Sequence, residues 1–214
     1  MPRQVQKALP RTIHSVTEIP TMFAYIVRCN FSEPAKEQFW NDWYSGPKIG
    51  QMLSKPYFRS TQRFRRSDGT GRNYLALWII ESPEAFTTKE YTSDWGFFEW
   101  KPYIVDWSRD LFDGAKIVED SFSVSPQGAL HVVSFDGMGK EETAAAQKAF
   151  AFIHPNMAWL AITGLDKHTE MIGLLPVSEL PQSWRPSNAA TGAQEALYLP
   201  ISDFHRASDF HKAL

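Results

Sequence analysis

The chain has 214 residues, 43% hydrophobic and 21% charged, with a formal net charge of −2. This composition suits a globular protein with a real core; it excludes a disordered chain, a polyanionic tail and a basic nucleic-acid surface. Cys29 is the one cysteine, so a disulfide-held secreted scaffold is excluded and a cytoplasmic setting is the default expectation.

Residues 1–20 carry three basic residues and three prolines but no apolar signal region, and read as an arm, frayed or laid across a partner. Apolar runs such as 75–80 fall far short of the roughly 20 residues that span a bilayer, so no membrane segment is expected. Residues 22–31 form an apolar, β-branched strand. Ser32-Glu33-Pro34 then starts a helix, with Ser32 as cap, that runs to about residue 45. Gly46-Pro47 should interrupt it before a second helical piece at 48–54. In 57–66 the residues alternate: Phe58, Ser60, Gln62 and Phe64 share one face, and Arg59, Thr61, Arg63 and Arg65 the other. After a glycine turn at 67–72, residues 73–81 are apolar on both faces, as in a central strand covered twice. Ser82-Pro83-Glu84 opens a helix at 83–93, and an aromatic connector leads to a strand at 104–112.

The order β-α-β-β-α-β is the ferredoxin-like arrangement. It recurs more weakly: strand 129–138, helix 140–153, strands 157–165 and 170–179, and a closing strand at 196–204, with the second helix short or lost. The expected fold class is α+β, with two ferredoxin-like units in one barrel. Its parts are an arm (1–20), a first unit (21–113), a linker (114–127), a shortened second unit (128–205) and a tail (206–214).

Glu37, Phe39 and Trp43-Tyr44, then Ile49, Met52-Leu53, Pro56 and Phe58, then Arg63-Phe64-Arg65, form a recognisable series. It resembles the dimeric α/β-barrel superfamily, in particular the EthD-like and stress-responsive barrel proteins. Ala76-Leu77-Trp78 followed by Glu81-Ser82-Pro83-Glu84-Ala85-Phe86 is similar to their third strand and second helix. The resemblance covers the first half of the chain. It implies that a barrel others build by dimerisation closes within one chain here. Where many members have a histidine after Trp-Tyr, this chain has Lys48, so the family histidine is not carried over.

Trp40, Tyr44 and Lys48 are spaced by four and share one helical stripe if the helix continues past Gly46. Tyr and Lys side by side offer acid/base chemistry, the ammonium stabilising a phenolate or a desolvated amine acting as base. Trp78, Tyr91 and Trp95 belong to a surplus of rings that suits a pocket for a flat substrate. Arg63 could hold a carboxylate or phenolate if it faced that pocket, though a solvated strand face is the plainer expectation for the arginines of this strand. His131 lies in a strand and is a candidate to point into the second half of the barrel. The histidines lack metal-site spacing and Cys29 lacks a partner, so no metal site is expected.

The expected function is a cofactor-free enzyme acting on a small aromatic or polyketide-like molecule by acid/base chemistry at carbon: an isomerase, cyclase or lyase. Tyr44 and Lys48 would be catalytic, and Trp40, Trp78, Tyr91, Trp95, Arg63 and His131 would bind substrate. The alternatives are a non-catalytic small-molecule or stress-response module and a cofactor-free monooxygenase or haem enzyme, since some barrel relatives bind haem through one histidine. The expected partner is a small molecule, with no nucleic acid and no membrane. A homodimer through the arm or tail stays open.

Overall fold

The computed structural model describes residues 21–114, 116–180 and 182–210. The predicted arm, and the last four residues of the predicted tail, lie outside them.

The first four strands are β1 (Phe23–Phe31), β2 (Phe58–Arg66), β3 (Tyr74–Ile80) and β4 (Ile104–Asp113). They pair antiparallel in the order β2-β3-β1-β4. The next four are β5 (Ala129–Ser134), β6 (Ala158–Leu165), β7 (Met171–Val177) and β8 (Gln194–Pro200), in the order β8-β5-β7-β6. Two seams join these sets: β4 pairs with β6, and β2 with β8, so the eight strands close into one antiparallel barrel. Closure removes the exposed edges of both sets. A two-residue strand, β9 (His205–Arg206), pairs with Ser60 and Thr61 of β2.

Strand periodicity sorts side chains between two environments. In β1, Ala24 and Ile26 join the interior cluster with Phe64, Leu77, Leu130 and Leu174. Tyr25, Val27 and Cys29 belong to a second cluster beneath the helices. This double cover explains why β3 is apolar on both faces. The predicted alternation in β2 is broken by a bulge between Phe58 and Ser60. The extra residue turns Phe58 out to the helical layer while Phe64 stays inside.

The interior also holds charge. Arg28 lies 2.8 Å from Asp136 and 3.6 Å from Asp110, and donates to Ser134 Oγ at 3.1 Å. Arg72 reaches Asp136 at 2.6 Å. The bonds to Ser134 and Asp136 run from β1 and the β2–β3 turn to the end of β5 and the residues just after it. The expected linker does more than connect: Ile117, Phe122 and Val124 pack into the barrel interior. Gln62 bonds both the N–H and the carbonyl of Val124 at 2.9 Å, which fixes that segment there.

The outer layers differ from the sequence expectation at three points. Ser32 caps no helix; its hydroxyl donates to the Tyr103 carbonyl at 3.1 Å instead. Gly46-Pro47 does not end the first helix. Helix α1 (Glu37–Trp43) passes through a π turn (Tyr44–Lys48) into α2 (Ile49–Leu53). Pro47 has no N–H to place in an α ladder, and the wider turn accommodates it. The predicted helix at 83–93 splits into a 3-10 turn (Pro83–Thr87) and α3 (Lys89–Thr92). Thr88 between them is extended and caps Tyr91 N–H at 3.2 Å. In the second half α4 (Lys140–Ile153) matches its prediction, and a largely irregular stretch before β8 stands where a second helix would be. Helix α5 (Ala207–Phe210) follows β9.

Candidate functional site

The π turn decides where Tyr44 and Lys48 sit. Both are buried, 5% exposed each, and both line a cavity between the helical layer and the first-half sheet. Lys48 Nζ donates to Gln51 Oε1 at 2.9 Å and stands 4.9 Å from the Phe98 ring centre and 5.9 Å from that of Trp43. Gln51 in turn donates to Asp94. Burial disfavours the ammonium and brings the Lys48 pKa down to about 8; the Asp94 carboxylate opposes the change, and Lys55 reinforces it. A lysine in this range is partly neutral near physiological pH, which is what a general base needs.

Tyr44 behaves differently. Burial raises its phenol pKa well above the ordinary value, against the pull of Arg63, whose guanidinium lies 4.1 Å over the ring. Tyr44 therefore stays protonated, and the phenolate considered from sequence does not form. Its hydroxyl can donate a hydrogen bond or a proton.

The walls are Tyr25, Val27, Met52, Trp78, Tyr91, Trp95, Phe97 and Trp107. Tyr91 and Trp95 stack at 5.7 Å, and Tyr91 Oη is buried with no hydrogen-bond partner among the described residues. The hollow expected from the ring count is small: these side chains leave about 30 Å³. Large rings in close contact fill most of the space. Next to it lies a surface groove of about 520 Å³, lined by Trp95, Phe97, Phe98, Lys101, Ile104 and Trp107. Trp95, Gly96, Phe97 and Trp107 line both spaces, so this aromatic flap is the wall between them. Gly96 has φ +103, a conformation that side-chain-bearing residues rarely adopt. Trp107 is aimed by an irregularity in β4 opposite Arg28–Asn30, where Asp106 takes φ +50.

Of the predicted residues, Tyr44, Lys48, Trp78, Tyr91 and Trp95 meet at this cleft. Trp40 stands behind it, fully buried, stacked on Phe31 at 4.8 Å and edge-on to Tyr74 at 4.6 Å. Arg63 faces neither the cleft nor solvent. It is 2% exposed, and its guanidinium donates to the Asn41 carbonyl, Asn41 Oδ1 and Ser45 Oγ at 2.7–3.1 Å, so it ties α1 to the sheet. His131 is on the other half of the molecule. Its neighbours Leu130 and Val132 fill the barrel interior, so the imidazole points outward, the reverse of the expected direction. Tyr25 was missed by sequence reasoning; alternation with Ala24 and Ile26 was the available signal.

His131 has company that sequence spacing does not reveal. Its Nε2 lies 2.9 Å from Glu195 Oε1, and His154 Nε2 lies 3.1 Å from the same oxygen. Pairing of β5 with β8 brings Glu195 beside His131, while His154 ends α4. The Ser187 N–H and hydroxyl both donate to Glu195 Oε2, the hydroxyl at 2.7 Å. Burial would raise the Glu195 pKa, but the bonds from His131 and Ser187 outweigh it and take it down to about 2. Haem needs an imidazole facing a space of macrocycle size. Neither the 520 Å³ groove nor a second one of about 490 Å³ beside α4 has a histidine in its lining. His154 is stacked against Phe150 and His131 is edge-on to Trp184. As placed, His131 and His154 do not face a space of haem size.

No family model matches the chain, and no curated protein matches it. Solved structures do. An anthrone oxidase-like protein matches with a TM-score of 0.61 at 11% identity, over 90% of this chain and 96% of that one. A monooxygenase-like protein from Lactobacillus acidophilus NCFM matches at 0.52 and 8% identity, over 87% and 97%. A chlorite dismutase-like protein matches at 0.50 and 14% identity, over 92% and 100%. This chain shares its fold, an antiparallel eight-stranded α/β barrel, with these structures. Among the described residues no helix is long and apolar enough to cross a membrane.

Proposed function

We propose that the chain is a cofactor-free enzyme that removes a proton from an activated carbon of a small, flat aromatic molecule. Lys48 is the base and Tyr44 the proton donor or hydrogen-bonding group. Trp78, Tyr91, Trp95 and Trp107 orient the substrate rings. The observation that carries this reading is a single one: an amine whose pKa is about 8 stands against the rings of an aromatic cleft. Placing a base beside a bound carbon acid supplies catalysis through positioning and exclusion of water. The cavity of about 30 Å³ is too small for such a substrate, so binding requires the Trp95–Phe98 flap to swing out and merge cavity and groove.

The fold reading behind this proposal is two fused ferredoxin-like units of EthD-like descent. It is supported by the same strand order in both halves and by the Trp43-Tyr44 to Arg65 series. After proton removal the carbanion has two fates. Reprotonation or expulsion of a group gives isomerase, cyclase or lyase chemistry, and capture of O2 gives oxygenation. The anthrone oxidase-like and monooxygenase-like neighbours make the second fate worth measuring.

Anthrone, a flat tricyclic ketone with an acidic methylene, is a suitable probe. Without oxygen, the protein should speed exchange of that methylene with deuterated water, and Lys48→Met should abolish the acceleration. No acceleration over buffer with anthrone or related ring ketones contradicts the proposal. Oxygen uptake in air would assign the oxygenation branch.

A further inference from the structure

We propose that His131, His154 and Glu195 form a binding site for a divalent first-row transition metal such as Zn2+ or Fe2+, on the outer face of the second half of the barrel. The three side chains each offer one donor atom, and these atoms all lie within 4.8 Å of one another. Ligands about 2.1 Å from one ion at tetrahedral or octahedral angles sit about 3.0–3.4 Å apart. The observed Nε2 to Oε1 separations of 2.9 and 3.1 Å are close to that spacing.

Charge favours an ion here. Glu195 is 6% exposed, and among the described residues it bonds the two imidazoles and Ser187 but no lysine or arginine. A divalent cation held by the two imidazole nitrogens would balance this buried carboxylate. The donor set of two imidazoles and one carboxylate matches metals of borderline softness and leaves coordination positions open to water. His154 has 20% of its side chain exposed, which provides the path from solvent. The supporting groups are also in place. Ser187 holds the second carboxylate oxygen twice, and Phe150 and Trp184 pack against the imidazoles. The sequence conceals the site because its ligands come from β5, the end of α4 and β8.

The test is titration of the chelator-treated full chain with Co2+, followed by displacement with Zn2+. The expected result is a saturable visible absorption band at one equivalent, lost on adding Zn2+, with paramagnetically shifted imidazole protons in the wild-type spectrum. His154→Ala, at the most exposed ligand, should weaken Co2+ binding more than about 100-fold. Ser187→Ala, one shell out, should weaken it about 10- to 100-fold. Absence of a saturable band in the wild type overturns the proposal, as does unchanged affinity in a folded His154→Ala variant. Should that variant not fold, the shifted imidazole protons of the wild type decide alone. None of these readouts depends on the aromatic cleft.

Discussion

The two outer faces of the barrel rest on sheets of matching strand order but are covered in opposite ways. Over the first half, α1, the π turn and the 83–103 stretch bring rings and one buried amine together and leave a groove open beside them. Over the second half, α4 and the stretch before β8 close on a small polar knot, with Ala189, Ala190 and Ala193 packed against the sheet-side cluster. In the chemistry proposed above, reactivity in the first face comes from desolvating a cation. In the second it comes from gathering donors around an anion. The lesson is that one strand framework can host two unrelated chemistries, set by what lies above the sheet.

The largest expected effect strikes both faces at once. Arg28→Met removes the charge that joins Asp110, Ser134 and Asp136, leaving buried Asp110 without its arginine and Asp136 with Arg72 alone. It should cost about 3–5 kcal/mol in urea unfolding. A cost under about 1 kcal/mol would mean that the two halves hold together without this link.

Lys48→Met separates activity from stability. Carbon-acid exchange should fall at least about 100-fold, within the usual contribution of a general base. Melting temperature at pH 7 should not fall, and should rise. The amine has a pKa of about 8 when folded against 10.5 ordinarily, so the fold disfavours its charged form. That penalty is fully present below pH 8 and fades as pH rises to about 10.5, reaching at most about 3 kcal/mol. Wild-type stability should therefore climb across that window, and the variant should lack the climb. Equal pH slopes in the two proteins would contradict the burial of the amine.

Tyr44→Phe should lower exchange about 10-fold, since it removes a donor from the cleft but keeps the ring under Arg63. Unchanged rates would reduce Tyr44 to a packing residue. The smallest effect should come from His131→Ala, which leaves affinity for an aromatic probe at the cleft within about twofold when read by tryptophan quenching. A large loss would restore the substrate-binding role that the sequence suggested and would couple the two faces.

The strands, α4 and the Ser82 cap were legible because period-two alternation, helical spacing and capping chemistry act locally. The bulge that turns Phe58 outward was not, because one extra residue shifts a face without leaving a composition signal. The π turn was half legible: the four-residue spacing of Trp40, Tyr44 and Lys48 was visible, yet Pro47 argued for a break. Arg63 looked like a solvated strand arginine until α1 and the π turn supplied three acceptors for it. Glu195 carried no sequence cue, since its meaning depends on the pairing of β5 with β8. The size of the cleft could not be read from the number of rings, because rings fill space as readily as they line it.

The most direct measurement is the titration of the Lys48 side chain, followed through its 13Cε resonance and assigned with the Lys48→Met variant. A midpoint near pH 8 that moves when a flat aromatic ligand is added is the predicted result. A midpoint near 10.5, unaffected by such ligands, would contradict the amine's placement in a water-poor cleft and with it the proposed chemistry.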